Sequence, residues 1–264
     1  MMEWRDQALV LAARPYGETS AILTVFARMH GRVSGFVRGG ASRRIAAHLQ
    51  PGNELDVSWR ARLEDQPGSF RIEPLRSRAA LFADRLALEG MSAVTALLQL
   101  CLPERQPHAA LWQETQDLLD QMMRTGPSNA GWPAHYLLWE LRLLAEIGYG
   151  LDLSTCAVTG AGAGLAYVSP KTGRAVSVQG AGAWADRLLP LPASLAAGGM
   201  PVDADLVPGL RLTGHFLARE MLQAERPPGE GEAQARPGLP AARERLIALL
   251  ARRDAATEGL APPD

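Results

Sequence analysis

The chain almost lacks lysine: of its 27 basic residues only Lys171 is not arginine. Because that bias runs through the whole sequence, an arginine marks a site only by where it stands. Cysteine is scarce too, with Cys101 and Cys156 far apart, so a disulfide framework is excluded and a reducing compartment is expected. The longest apolar stretches, such as Val94 to Leu102, are too short to span a bilayer. The first residues include Glu3, Trp4, Arg5 and Asp6 where a secretory leader would need an apolar run, and a cytoplasmic protein is expected. Signatures of catalysis are missing as well. The sequence holds no phosphate loop, no nucleophile elbow and no carboxylate pair with metal-binding spacing. His30, His48, His108, His135 and His215 show neither helical pairing nor a nucleophile-base-acid order. Neither an enzyme, a cofactor nor a small-molecule substrate is expected.

What is present is core material and an uneven charge. A hydrophobic content of 47% over 264 residues suits one large or two ordinary domains. The net charge of −1 hides a division. Residues 1–78 carry 12 arginines against 8 acids, and residues 79–264 carry 15 basic against 20 acidic residues, so the basic surplus belongs to the first third.

That third holds five strand candidates, Ala8 to Arg14, Ser20 to Arg28, Arg32 to Arg38, Glu54 to Leu63 and Ser69 to Arg76. The turn signals between them are Pro15-Tyr16-Gly17, His30-Gly31, Gly39-Gly40, Pro51-Gly52-Asn53 and Pro67-Gly68. In the fourth, Leu55, Val57, Trp59, Ala61 and Leu63 alternate with Asp56, Ser58, Arg60 and Arg62. Five short strands without an intervening long helix predict a small closed barrel of the oligonucleotide-binding type over 1–78, because closure removes exposed edges.

From residue 79 the apolar spacing turns helical, beginning with Leu86, Met91, Val94, Leu97, Leu98 and Cys101. Further helices are predicted over about His108 to Arg124, from Pro133 to Gly148, over Asp205 to Ala224 and over Pro240 to Arg253. The expected fold class is therefore α+β, with a helical domain over 79–264. A Gly/Pro-rich lobe at 149–200 and a flexible loop at 226–238 interrupt it. Trp112, Trp132, Trp139 and Trp184 are assigned to the core. Arg243, Glu244, Arg245, Arg252 and Arg253 are assigned to a solvated helix face. Gly160 to Gly164 follows no buried strand and opens no helix, so it predicts a hairpin loop rather than a cofactor site. Cys156 has Thr159 where a zinc knuckle would place its second cysteine, and no metal is expected.

The stretch from Arg28 to Asn53 carries the candidate site. Strand geometry puts Arg32, Ser34, Phe36 and Arg38 on one face, and Arg43 and Arg44 follow in the next loop. An aromatic ring between guanidinium groups suits a nucleic-acid strand. Arg14, Arg60, Arg62 and Arg71 are added from neighbouring strands. The same face could equally be a solvated sheet surface. Phe36 is either core or stacking platform, and one residue of register decides which.

Several separated segments, in their order and spacing, resemble the bacterial recombination mediator family RecO over nearly the whole chain. They are Trp4 to Arg14 with Gly17-Glu18-Thr19-Ser20, His30-Gly31-Arg32 to Gly40, and Leu49-Gln50-Pro51-Gly52. Further along come Leu151-Asp152-Leu153 to Cys156, Val168-Ser169-Pro170 with Gly173-Arg174, Leu210 to Leu217, and Leu239 to Arg243. The resemblance implies an N-terminal oligonucleotide-binding barrel, a helical C-terminal domain and an inserted zinc-finger-like lobe. It also implies a protein that binds single- and double-stranded DNA and anneals complementary strands. With RecR and single-stranded-DNA-binding protein, such a protein helps to load RecA. Some members hold zinc through four cysteines in the lobe. The matching positions here are Cys156, Thr159, Val176 and Gln179, so the metal is not carried over and packing must hold the lobe. A protein-binding adaptor and an RNA-binding barrel protein are the alternative readings.

Overall fold

The computed structural model describes residues 2–62, 67–125, 131–224 and 238–258. The chain forms two compact units, Met1–Asn129 and Ala130–Asp264. In the first, β1 (Met2–Tyr16), β2 (Ser20–Ala27), β3 (Gly31–Val37), β4 (Glu54–Ala61) and β5 (Gly68–Arg76) close into a barrel in the order β1-β2-β3-β5-β4. This is the oligonucleotide-binding barrel that the strand pattern predicts. All pairings are antiparallel except β3 with β5. A four-residue helix α1 (Arg43–Ala46) lies between β3 and β4. Inside, Leu23, Val25, Leu55, Val57 and Trp59 form the core with their neighbours. Leu63 lies outside the described residues.

β1 is longer than its apolar run predicts, starting at Met2 rather than Ala8. The early residues pair with β4 from Met2 opposite Ala61 to Leu9 opposite Glu54. Their outward charges, Glu3 and Arg5, conceal the strand from a hydrophobicity pattern. Farther on, Val10 faces Val25 while Ala12 faces Thr24, so Leu11 is an extra residue. Such a bulge inverts the alternation. Before it Ala8 and Val10 point inward; after it Ala13 and Pro15 sit opposite the core residues Leu23 and Ala21, and Arg14 and Tyr16 turn out.

Two glycines permit closure. β3 meets β5 only over Gly35–Val37 and Gly68–Phe70. A Cβ on Gly35 would stand 2.8 Å from the Gly68 carbonyl oxygen, and one on Gly68 would stand 2.2 Å from the Trp59 indole.

A 3-10 turn over Ala79–Ala83 leads to α2 (Arg85–Cys101) and α3 (Ala109–Thr125) in the same unit. Asp84 caps α2, accepting hydrogen bonds from the Leu86 and Ala87 amides at 2.7 and 3.3 Å. The helices pack against the outside of the barrel. The Trp112 indole donates to the Phe26 carbonyl at 3.2 Å, and the outward-facing Phe26 is fully buried. Arg78, also fully buried, donates to the Gly52 carbonyl at 2.8 Å, to Gln116 at 2.6 Å and to Asp120 at 2.9 Å. Burial lowers its pKa and Asp120 opposes that shift.

The second unit contains α4 (Trp132–Glu146), β6 (Leu165–Val168), β7 (Ala175–Ser177), α5 (Val178–Ala181), β8 (Leu189–Pro190), α6 (Ala193–Ala196), α7 (Asp203–Ala224) and α8 (Ala241–Glu258). Here the assignment of Arg243 to a solvated face is corrected. It is 1% exposed and donates to both carboxylate oxygens of Glu140, at 2.7 and 2.8 Å, and to the Leu210 carbonyl. Burial works to lower its pKa, and the attraction of Glu140 overcomes that and raises it. The helical charge pattern concealed this because the partner acid lies 103 residues away. The assignment of Trp184 to the core is also corrected, since it is 61% exposed. It stands on a 3-10 turn (Gly182–Arg187), where Ala185 and Leu188 take the inward positions. Residues i and i+3 eclipse there, and Arg187 lies over the Trp184 ring at 4.7 Å. Of the loop predicted at 226–238, residues 226–237 lie outside the described residues.

In the lobe, Cys156, Val176 and Ala181 form a small core with Leu165, Tyr167, Ala185 and Leu188 against it. A side chain that cannot ligate, Val176, thus packs at one matched zinc position, with Thr159 and Gln179 at two others. These residues do not fit the metal. The Cys156 sulfur instead accepts hydrogen bonds from the Ser177 hydroxyl and amide, at 3.3 and 3.2 Å, and from the Thr159 amide at 3.4 Å. They hold the thiol down to about 6 against the opposing effect of burial.

Two outcomes follow. Arg243→Leu strands the Glu140 carboxylate and is expected to cost about 3–5 kcal/mol, measured by denaturant unfolding. Thiolate absorbance of Cys156 is expected to titrate near pH 6. The stability that the thiolate contributes is then complete above the unfolded thiol's value of 9.0 and is lost as pH falls through about 6. A midpoint at the ordinary thiol value would contradict the hydrogen-bonded cradle.

Candidate nucleic-acid interface

The barrel register carries one outward row across all five strands. Arg14 sits opposite Ile22, Ile22 opposite Phe36, Phe36 opposite Ser69, and Ser69 opposite Arg60. Phe36 therefore faces away from the core and is half-buried, which resolves the register question. Its ring lies against Tyr16, with centroids 5.0 Å apart and planes tilted by 51°. Tyr16 was hidden in a turn signal, and only the bulge brings it onto this face.

β3 ends at Val37 while β5 continues to Arg76, and a groove of about 620 Å³ opens where they part. The buried Val37 and Phe70 line it together with Ile45 of α1 and Ile72, and so do Ser58, Ser69, Arg38, Arg60, Arg71 and one acid, Glu3. Three predicted arginines, from the ends of β3 and β4 and from within β5, thus share one cleft with a partly apolar lining. Arg43 and Arg44 are exposed on α1, beside Ile45. Among the described residues, Arg14, Arg38, Arg43, Arg44, Arg62 and Arg71 have no ion-pair partner. Arg60 is paired with Glu3 at 2.7 Å. An exposed pair of this kind is worth about 0–1 kcal/mol, so Arg60 can exchange its carboxylate for another anion at small cost.

Other predicted residues are placed apart. Arg32 points to the part of the wall that the helices cover, donating to the Leu102 carbonyl at 2.7 Å and to Glu104 at 3.3 Å. The Arg105 amide returns a bond to the Arg32 carbonyl at 2.9 Å. Arg32 is thus a clasp between β3 and the loop after α2, and is not grouped with the groove. Neighbouring Gly31, at φ 68°, has the Gln106 carbonyl oxygen 2.0 Å from where a Cβ would stand. Arg62 is exposed just past the end of β4, and Arg14 borders a smaller pocket with Gly40 and Leu49. On the outer side of β1, β4 and β5, Arg5 bonds Asp56 at 2.8 Å and Glu73 at 3.2 Å, so the cation there is already held by two carboxylates.

Comparison with known proteins adds an independent finding. The family described as Recombination protein O N terminal matches residues 1–78, and Recombination protein O C terminal matches 83–225. The chain belongs to the RecO family. Among its relatives, a protein named DNA repair protein RecO from Cereibacter sphaeroides (strain ATCC 17029) is 54% identical over 252 residues. The match covers 96% of this chain and all of the relative. Proteins of the same name from Ruegeria sp. (strain TM1040) and Paracoccus denitrificans are each 51% identical, covering 96% and 94% of this chain and 100% and 96% of their own. RecO membership gives the chain a role in DNA repair and recombination. The boundary between the two matched RecO regions falls at the 3-10 turn that leaves the barrel. Among the described residues no helix is long and apolar enough to cross a membrane.

The clasp has a measurable worth. Arg32→Ala is expected to lower unfolding stability by about 1–3 kcal/mol. Gly31→Ala should cost more, since the intruding atom meets backbone rather than a movable side chain.

Proposed function

We propose that this protein is a DNA-binding recombination mediator, whose barrel grips one DNA strand through the groove between the ends of β3 and β5. The observation that carries this reading is the convergence of Arg38, Arg60 and Arg71 in that groove, with Arg43 and Arg44 beside it. Arg14 and Arg62 extend the positive surface, and Phe36 meets the bases. Two complementary strands repel each other through their phosphates. A basic surface that neutralises one strand while leaving its base edges free lowers that barrier. Annealing then proceeds by base pairing, with no covalent step. In the same reading the protein acts with RecR and single-stranded-DNA-binding protein to load RecA onto coated strands, in the cytoplasm, without cofactor or catalysis.

Titration with single-stranded DNA and with RNA at two salt concentrations tests it. Arg38→Glu, Arg43→Glu and Arg44→Glu together are expected to weaken DNA binding more than about ten-fold in every sequence context. They should also reduce the salt slope by about 0.7 for each phosphate that is no longer neutralised. Arg32→Ala is expected to leave the affinity within about two-fold, because its guanidinium is held by the helices. Absent or salt-insensitive DNA binding would favour the adaptor reading, and tighter binding to RNA would favour an RNA-binding barrel.

A further inference from the structure

We infer that Tyr16 and Phe36 form a stacking shelf for an unpaired base, so that this face takes single strands in preference to duplex. The inference rests on the DNA-binding reading above and adds to it a residue and a selectivity. Tyr16 is 55% exposed although it is large and aromatic, and its ring is held by Phe36 rather than by the core. At a tilt of 51° the two rings do not stack face to face, and more than half of Tyr16 stays open to solvent, where a third ring can lie. The half-buried Ile22 stands between their strands, opposite both Arg14 and Phe36.

The charges around the shelf complete the case. Arg38 lies two residues beyond Phe36 on the same face, and Arg14 two residues before Tyr16. Neither has an ion-pair partner among the described residues. The acid nearest in sequence, Glu18, stands in the exposed turn between β1 and β2. A cation on each side of an aromatic pair provides for the two phosphates that flank one base. Phosphate contacts alone cannot tell a single strand from a duplex, since both present them. A free π-face can, because only an unpaired base offers its own. The row from Phe36 through Ser69 to Arg60 continues from the shelf into the groove, so one strand can meet both.

The test uses the full chain with Tyr16→Ala, Tyr16→Phe and Phe36→Leu, titrated with an oligo-dT strand and with a duplex of equal length at one salt concentration. Tyr16→Ala is expected to lose about ten-fold in affinity for the single strand, with duplex affinity and salt slope nearly unchanged. Tyr16→Phe should retain binding, since the ring and not the hydroxyl is used. A strand carrying 5-iodouracil is expected to photocrosslink at Tyr16 or Phe36. If Tyr16→Ala lowers single-strand and duplex affinity equally, or neither, the shelf is refuted, and crosslinks confined to other peptides would refute it too. If the unaltered protein binds neither nucleic acid, the DNA-binding reading itself fails. Loss of binding to a helper protein, with DNA affinity intact, would reassign the shelf to an apolar peptide.

Discussion

Everything on the candidate face follows from how briefly β3 and β5 touch. Their parallel pairing lasts three residues and is possible because Gly35 and Gly68 carry no Cβ to force the strands apart. The contact closes the barrel and so protects its core. Because it then stops, the strands separate, and the arginine-lined groove is the space they leave. Closure and cleft are thus two results of one constraint.

The barrel divides its outer wall between two tasks. One part is taken by α2 and α3, anchored by the buried Arg78 and by the Arg32 clasp. There guanidinium groups serve as hydrogen-bond forks satisfied by carbonyls and carboxylates. The face around the groove keeps Arg38, Arg43, Arg44 and Arg71 without an ion-pair partner among the described residues, while Arg60 is held by Glu3. Farther along the outer side of β1, β4 and β5, Arg5 is held by Asp56 and Glu73, and these acids bound the positive region. What distinguishes the candidate site is therefore how few carboxylates reach it, Glu3 being the one acid among the described residues of the groove's lining, since arginine itself is everywhere in this chain.

Much of this was legible in the sequence. The alternation in β4 fixed which side of the strand is core, and parity put Phe36 and Arg38 outside. The separation of a basic first third from an acidic remainder pointed to the barrel, where the groove with Arg38, Arg60 and Arg71 is found. What escaped depended on distance or on count. Arg32 shares the parity of Arg38, and only the loop after α2, some seventy residues on, decides that it is a clasp. Arg243 looked solvated because Glu140 and Thr213 reach it from other helices. Trp184 follows a three-residue repeat in a turn too short to show one. Tyr16 was missed because a strand pattern assumes strict alternation, and β1 breaks it once.

That single break makes the face a matter of arithmetic as much as of chemistry. Between Val10 and Arg14 the number of residues, odd or even, decides whether the end of β1 turns its guanidinium and phenol, or its alanine and proline, to the side that carries Ile22 and Phe36. Exchanging one side chain there alters one contact. Deleting one residue would exchange the two sides of the strand together, so this stretch tolerates spelling changes far better than changes of length.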